Sequence, residues 1–196
     1  MKILGSYLFK LWLRIKFGDR LSIASNVYVP LSTLFIIDSS SSIEIKADCI
    51  LRDYIEFRAT NESQLIIQEQ VKLDRFIRII ATNNSIVNIG QGCKVGQGTI
   101  FNGGGNILIG YKTLISGYVY IQTSMHNHHR KDKDIMVSGY LYGDISIGPG
   151  SWLGVHSVIF PNVSLGMRTI VGSNAVVNKS FDKDSIIGGI PAKRIK

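Results

Sequence analysis

Three of the four histidines in this 196-residue chain lie within four positions, at His126, His128 and His129. A neutral imidazole near pH 7 is a common general base. The same spacing could also hold zinc, because imidazole nitrogen is a frequent zinc ligand. A third alternative is a polar loop without a chemical role. The spacing alone leaves all three open.

A hexad repeat shows which elements must position this cluster. Large apolar residues recur every sixth position in seven triplets, Ile23/Val29/Phe35, Ile45/Leu51/Phe57, Ile67/Leu73/Ile79, Ile89/Val95/Phe101, Ile109/Ile115/Ile121, Ile147/Leu153/Ile159 and Leu165/Val171/Val177. Three six-residue sides close a triangular coil of about 18 residues, and each coil buries its apolar ring only against its neighbours. The repeat predicts an all-β fold, a parallel β-helix of about seven coils with an aliphatic ladder inside.

The hexad register is interrupted between Ile121 and Ile147, where about 20 residues are inserted. Long loops without structure of their own are usually functional or disordered in compact domains. All three clustered histidines fall in this insertion, residues 122–144. We therefore predict a loop that projects from the solenoid wall and can fold over it to make a concave site.

The N-terminus lacks the hexad repeat and predicts an amphipathic helix over 1–18, followed by one β-helix domain over 19–196. Polar or basic residues recur every four positions opposite a broad apolar face, at Lys2, Ser6, Lys10 and Arg14. Charges interrupt the apolar run, which argues against a secretory signal and a membrane span. Two compatible alternatives remain: residues 1–17 cap the solenoid end, or they lie on an anionic membrane surface.

The formal net charge of +8 suggests an anionic partner. Nucleic acid would be the first candidate, but the chain has no run of five basic residues, and aromatic residues do not interleave with the positive charges. Basic residues gather at the N-terminus, at 130–133 and at the C-terminus. This placement favours a phosphate-bearing small cofactor and a membrane surface, and no nucleic acid.

Cys49 and Cys93 occupy the same slot of the repeat, two coils apart. Two strand spacings are about 10 Å, which exceeds the Cα separation of a disulfide. We predict two buried thiols in a cytoplasmic protein that has possible peripheral contact with the inner membrane face.

Seven aliphatic–glycine pairs make the repeat resemble the hexapeptide-repeat acetyltransferase family: Ile89-Gly90, Val95-Gly96, Ile109-Gly110, Ile147-Gly148, Leu153-Gly154, Leu165-Gly166 and Val171-Gly172. In that family the β-helix is left-handed, and most members are acyltransferases that act as trimers. The resemblance therefore implies a left-handed coil and a homotrimer with active sites between subunits.

The insertion and the chain end are similar to galactoside and maltose O-acetyltransferases. Residues 89–126 align with them without a gap, and their catalytic histidine falls on His126. Counting back from the downstream repeat places the catalytic histidine at His128 instead. His128 therefore remains the second candidate for the base. Residues 189–193, Gly-Ile-Pro-Ala-Lys, match the Gly-x-Pro-Ala-Lys motif near the C-terminus of xenobiotic and sugar acetyltransferases. In the γ-type carbonic anhydrases that share this repeat, the zinc-binding histidines are spread over neighbouring coils. Here three of the four histidines share one short stretch, so the resemblance implies no metal.

The implied reaction is direct transfer of an acetyl group from acetyl-CoA to a sugar hydroxyl, with a histidine base. Val155 replaces the serine of the galactoside enzymes, so a backbone N–H near 154–156 must stabilise the oxyanion. The resemblance assigns acetyl-CoA to nine residues: Trp152, Gly154, Val155, Ser173, Asn178, Lys179, Lys193, Arg194 and Lys196. Surface roles for Trp152 and the lysines stay open.

The acceptor is where this chain departs from the galactoside enzymes. Their sugar-contacting Asn and paired Asp fall on Gly96, Gly103 and Gly104. We expect a flat, glycine-lined wall and a larger acceptor, a surface polysaccharide or a lipid-linked glycan. The alternatives are N-acetylation of an amino-sugar nucleotide and a non-enzymatic binding scaffold. A scaffold of the ice-binding kind would need regular threonine arrays, which the chain lacks.

Overall fold

The computed structural model describes residues 2–195, which form one helix and 24 short strands. The helix α1 spans Lys2–Phe17. The strands up to the insertion are β1 (Leu21–Ile23), β2 (Leu34–Ile37), β3 (Ser42–Ile45), β4 (Ile50–Leu51), β5 (Glu56–Ala59), β6 (Gln64–Ile67), β7 (Lys72–Leu73), β8 (Arg78–Ala81), β9 (Ile86–Ile89), β10 (Lys94–Val95), β11 (Ile100–Gly103), β12 (Ile107–Ile109), β13 (Leu114–Ile115) and β14 (Tyr120–Gln122). The remaining strands are β15 (Ser124–His126), β16 (Tyr140–Tyr142), β17 (Ile145–Ile147), β18 (Trp152–Leu153), β19 (Val158–Ile159), β20 (Ser164–Leu165), β21 (Ile170–Val171), β22 (Val176–Val177), β23 (Ile186–Gly188) and β24 (Lys193–Arg194).

The strands stack into three parallel sheets that form the sides of a solenoid. Sheet 1 has the order β1-β3-β6-β9-β12-β17-β20, sheet 2 has β4-β7-β10-β13-β18-β21-β23, and sheet 3 has β2-β5-β8-β11-β14-β19-β22. β24 adds to β23 as an antiparallel strand. The chain visits sheets 1, 2 and 3 in turn, and we name the connections corner 1/2, corner 2/3 and corner 3/1.

The apolar ladder has the predicted register. Ile67 pairs with Ile89, and Ile89 with Ile109, in one column of sheet 1. Twenty of the 21 hexad residues are buried, and Ile23 in the first coil is partly buried. The prediction of a parallel β-helix of about seven coils is confirmed, and its left-handedness stays a prediction from the resemblance.

The early coils repeat every 22 residues, as from Ile45 to Ile67, whereas Ile147 and Leu165 are 18 apart, and the extra residues lengthen strands as well as a corner. In sheet 3, β5 and β8 each contain four residues, and their last residues, Ala59 and Ala81, are buried. The corner 3/1 turns that follow place Asn61 and Asn83 at positive φ, which asparagine tolerates better than most residues. The additional residues therefore extend one side of the prism before it turns.

Helix α1 packs across the N-terminal end of the solenoid, as the capping alternative requires. Leu13 and Phe17 are buried in the same core as the hexad ladder. The Ser6 hydroxyl accepts a hydrogen bond from the Val29 N–H at 2.9 Å, and Lys10 Nζ donates to the Ser25 carbonyl at 2.8 Å. These contacts satisfy backbone groups that the first coil leaves without a preceding coil.

Within the described residues, no helix has the length and apolar character needed to cross a membrane.

Candidate active site

The inserted segment is an antiparallel hairpin, not the structureless loop that its length suggests. Strands β15 and β16 pair with Ser124 opposite Tyr142 and His126 opposite Tyr140. The segment between them carries His128 and His129 and includes a short 3-10 turn at Ile135–Val137. The hairpin leaves the solenoid at corner 3/1, directly after β14.

The root of the hairpin is built on Thr123, whose side chain is fully buried. Its hydroxyl donates to the Asn102 carbonyl at 2.8 Å. It accepts from the N–H groups of Gly104 at 2.7 Å and Gly105 at 3.0 Å. The backbone N–H of Gly143 closes the other side by donating to the Thr123 carbonyl at 2.9 Å. Because each polar group has a partner, the hairpin base is fixed to the corner below it.

The expectation of an open glycine-lined acceptor wall is wrong at Gly103 and Gly104, whereas Gly96 is partly exposed. Gly103 and Gly104 are buried, and a Cβ added to Gly104 would lie 2.6 Å from the ring of Tyr142. At Gly103 a Cβ would lie 2.5 Å from the Ile80 carbonyl oxygen. Glycine is therefore required at 104 so that β16 can pack on the corner, and at 103 because the preceding coil lies against it, so neither glycine is exposed to an acceptor.

His126 is solvent-exposed at the end of β15, where strand pairing fixes its backbone. Its ring packs on Tyr140 with centroids 4.7 Å apart. His128 and His129 lie beyond the strand and pack on each other at 4.2 Å, and both are exposed. Of the three imidazoles, only that of His126 belongs to a paired strand.

Gly154, Val155 and Ser173 lie together at corner 2/3, in two adjacent coils. A Cβ on Gly154 would lie 2.6 Å from the Ser173 nitrogen, so these backbones approach closely. The N–H groups of Gly154 and His156 donate to carbonyls of neighbouring coils. Within the described part of the chain, the Val155 N–H has no hydrogen-bond acceptor. It is therefore free to donate to a ligand.

Trp152 lies beside this corner in sheet 2, about half exposed, and its indole N–H donates to the Ser116 hydroxyl at 3.0 Å. His156 stacks on Tyr118 with centroids 5.2 Å apart. At the same corner Tyr54 stacks on Phe76 at 5.1 Å. The four residues of these two stacked pairs all have positive φ, an uncommon conformation for bulky side chains. This column is not among the features predicted from the sequence, although its members recur at one position of the repeat.

Lys179 and Arg194 line one cleft of about 480 Å³ near the C-terminal end. The cleft also contains Ser164, Gly166, Ser180, Phe181, Asp182, Lys183 and Ser185. Arg194 donates to the Ser185 hydroxyl at 2.8 Å, and Lys179 Nζ lies 5.5 Å from the Phe181 ring centroid. A cationic cleft of this kind suits phosphate groups.

The other predicted cofactor residues are more dispersed. Asn178 is exposed beside Lys179 but does not line the cleft, and Lys193 is exposed on β24. Lys196 lies outside the described residues. The prediction of nine cofactor residues thus divides into a corner group around Val155 and a cleft group around Lys179 and Arg194.

Within one chain, the hairpin that carries His126 is distant from both the corner group and the cleft group of cofactor residues. Corner 2/3 precedes β19, whereas the hairpin follows β14, and the two strands are neighbours in sheet 3. Val155 and His126 therefore lie at the two corners that border sheet 3, about 15 Å apart for the roughly five residues that separate these corners. The cleft of Lys179 follows β22 and shares corner 3/1 with the hairpin, two strand spacings or about 10 Å further along.

Neither cysteine is placed for nucleophilic catalysis. Both thiols are free and buried, which confirms the predicted burial of the two side chains, and each donates to a backbone carbonyl. Burial raises the pKa of Cys49 and raises that of Cys93 to about 11. Within the described residues, no group of three or more His, Cys, Asp or Glu side chains is arranged to hold a metal ion.

We expect both thiols to resist 5,5′-dithiobis(2-nitrobenzoate) in the folded protein at pH 8, because the reactive thiolate is neither exposed nor populated. Both should react after denaturation. Absorbance at 412 nm measures the reaction, and rapid modification of the native protein would contradict the burial of the two side chains.

The two hairpin tyrosines contact site residues but are not among the residues predicted from the sequence. Tyr140 and Tyr142 flank Leu141, an alternation that is typical of a strand. This signal spans only three residues, which is too short to separate a strand from a loop. Tyr140 contacts the candidate base, and Tyr142 contacts the glycine corner.

No family model matches the chain. Among curated proteins, it is 35% identical over 100 residues to WbbJ of Escherichia coli K12, which is assigned to O-acetyl transfer in lipopolysaccharide biosynthesis. The match covers 46% of this chain and 50% of WbbJ. The chain thus spans about half the length of the curated relatives it matches.

Two solved structures share the fold over most of the chain. The polysialic-acid-specific acetyltransferase NeuO gives a TM-score of 0.64 at 22% identity, covering 93% of this chain and 82% of NeuO. A mutant of AntD, an N-acyltransferase from Bacillus cereus, was solved with dTDP and coenzyme A. It gives 0.66 at 20% identity, covering 95% of this chain and 88% of AntD. The similarity to WbbJ over about half of the chain and the fold shared with NeuO and AntD confirm the resemblance to hexapeptide-repeat acetyltransferases that the hexad repeat indicates.

Proposed function

We propose that this chain is an acetyl-CoA-dependent O-acetyltransferase that modifies a sugar hydroxyl of a surface polysaccharide or a lipid-linked glycan precursor. The observation that carries the proposal is the hairpin, which holds an exposed His126 at the same corner as the cationic cleft. The relation to WbbJ supports a glycan acceptor.

In the proposed reaction His126 acts as general base. It takes the proton of the sugar hydroxyl while the hydroxyl oxygen bonds to the thioester carbon. The tetrahedral intermediate then expels the CoA thiolate, which recovers the proton from the imidazolium. The products are the acetyl ester and CoA thiol, and no acyl-enzyme is formed. The base contributes on the order of 10²–10⁴-fold to the rate.

The Val155 N–H is the proposed donor to the oxyanion. Val155 and His156 are the central residues of a turn closed by a hydrogen bond from the Ser157 N–H to the Gly154 carbonyl. This turn holds the N–H in place without an acceptor of its own, so no reorganisation is needed when charge develops on the thioester oxygen.

The separation of His126 from Val155 favours an active site between subunits. A tetrahedral intermediate must contact the base and the oxyanion donor within hydrogen-bond distance. About 15 Å within one chain does not allow this. We propose a homotrimer in which the hairpin of one subunit reaches corner 2/3 of the next, with acetyl-CoA between them and its phosphates in the cleft of Lys179 and Arg194.

Binding of CoA tests the first part of the proposal. A ligand at 100 times its dissociation constant stabilises the folded protein by about 2.7 kcal/mol. For a domain of this size we expect the Tm to rise by about 5–10 °C. The double variant Lys179→Ala/Arg194→Ala should bind CoA at least about tenfold more weakly, through lost charge-assisted hydrogen bonds. Lys112→Ala, at corner 1/2, is the matched control.

Release of free CoA thiol tests the acceptor. We expect turnover with glycan hydroxyls and little with amino-sugar nucleotides. Preference for an amine acceptor would instead support the second candidate, an N-acetyltransferase, because AntD, an N-acyltransferase, has the same fold. CoA binding without turnover on either acceptor class, or no CoA binding, would leave the non-enzymatic scaffold as the better description.

A further inference from the structure

The outer face of helix α1 is the largest group of exposed apolar side chains on any single element. Its six members are between 48% and 77% exposed: Leu4, Tyr7, Leu8, Leu11, Trp12 and Ile15. Capping of the solenoid uses the opposite face of the helix, so it does not account for these residues. Exposed apolar groups of this size commonly mark an interaction surface.

The six residues form one stripe. Positions 4, 8, 11 and 15 follow the spacing that keeps side chains on one side of a helix, and positions 7 and 12 flank them. Arg14 and Lys16 are exposed on the two borders of the stripe, at about 100° of rotation per residue. Lys16 Nζ lies 4.9 Å from the Trp12 ring centroid. The helix has no acidic residue.

We propose that this outer face docks the protein on an anionic lipid bilayer. An apolar stripe bordered by cations, with Trp and Tyr among its members, fits the boundary between acyl chains and anionic headgroups. A cleft of about 580 Å³ beside the helix is lined by Lys10 and Arg14 together with one carboxylate, Asp19, and offers space and net positive charge for a headgroup.

A second copy of the chain is the competing occupant, because the 4-8-11-15 spacing is also that of a coiled-coil seam. The helix has 16 residues, about two heptads, whereas a sustained seam needs three or four. Both borders of the stripe are basic, so two copies would bring like charges together. Anionic lipid removes that repulsion, which favours the bilayer.

Docking in this way fixes the height of the hairpin above the bilayer. The helix layer adds about 10 Å and the four strand spacings from β1 to β12 about 19 Å, so the hairpin lies roughly 30 Å from the surface. If the proposed function holds, the acceptor hydroxyl must extend that far from a lipid anchor. This distance requires a glycan several sugars long.

Co-sedimentation of the full chain with vesicles tests the proposal, without acetyl-CoA, so its outcome is independent of catalysis. We expect binding to vesicles rich in phosphatidylglycerol and little to pure phosphatidylcholine, with binding that weakens as salt rises. Leu8→Ser/Ile15→Ser should lower the partition coefficient at least about tenfold. Arg14→Gln/Lys16→Gln should lower it about fivefold per charge at low salt.

Leu108→Ser/Leu114→Ser, two exposed leucines on the solenoid wall, should bind like the unmodified chain and serves as the matched control. Circular dichroism and the Tm verify that each variant is folded. Absence of binding, or equal binding by the stripe and wall variants, overturns the proposal. So does a stripe variant that lowers the oligomer mass in light scattering while the unmodified chain ignores vesicles, because the face would then join copies of the chain.

Discussion

Replacing His126 by alanine should lower kcat for acetyl transfer by about 10²–10⁴-fold, with a much smaller change in KM for acetyl-CoA. The imidazole is needed only while the hydroxyl proton is being transferred, so its loss affects the transition state more than binding. Steady-state release of CoA thiol measures both constants. The Tm should stay within a few degrees of the unmodified protein, because the side chain is exposed.

His128→Ala and His129→Ala are the matched controls for this prediction. Both imidazoles are exposed, lie on the same hairpin, and pack on each other beyond the end of β15. We expect each control to retain kcat within about tenfold. If His128→Ala lost activity and His126→Ala did not, the base would be His128, the residue that counting back from the downstream repeat selects.

The sequence determines the solenoid closely because one energetic term repeats along it. Each hexad position must bury an aliphatic side chain against the coils on either side, so a residue such as Ile89 has one favourable register, between Ile67 and Ile109. The glycines that follow the ladder residues are fixed by the same close stacking of coils, because a Cβ on Gly90 would lie 2.5 Å from the Ile109 carbonyl oxygen.

The hairpin is not predictable in this way because its contacts have no period. Tyr142 packs on Gly104, 38 positions earlier, and the Asp144 carboxylate accepts from the Asn106 N–H at 2.8 Å. Such pairings depend on the three-dimensional path of the corner. For the same reason, Gly103 and Gly104 suggest an exposed wall from the sequence, whereas the Tyr142 ring covers Gly104 and the Ile80 carbonyl and Val87 lie against Gly103.

The candidate site is only partly determined by sequence. Position in the repeat places Val155 at a corner, but only the structure shows that its N–H has no acceptor among the described residues. Likewise the sequence places Lys179 and Arg194 15 positions apart, and only the return of β24 against β23 brings them to one cleft.

Val155→Pro should lower kcat by about 10²–10³-fold while leaving the fold intact, because proline removes the proposed oxyanion donor. The turn tolerates proline. Val155 is the first central residue of a turn whose second central residue, His156, has φ of 58°, a turn type that favours proline at the first position. Pro149 and Pro161 already occupy the equivalent position in other turns of the chain.

Tyr111→Pro is the matched control for this variant. Tyr111 takes the same turn position at corner 1/2, its carbonyl accepts from the next coil as that of Val155 does, and Lys112 after it has φ of 54°. We expect this control to keep both the Tm and kcat. A Val155→Pro enzyme with unchanged kcat would show that the oxyanion is held by another group.

Mixing the two inactive proteins separates a shared site from a site within one chain. Every His126→Ala subunit has an intact corner, and every Val155→Pro subunit has an intact hairpin. If a hairpin serves the corner of its neighbour, random reassembly after mild denaturation gives intact pairs at about a quarter of the sites of a cyclic trimer. Activity should then return to about a quarter of the unmodified level. If each chain used its own hairpin and corner, every site would keep one lesion, and the mixture would be no more active than its components.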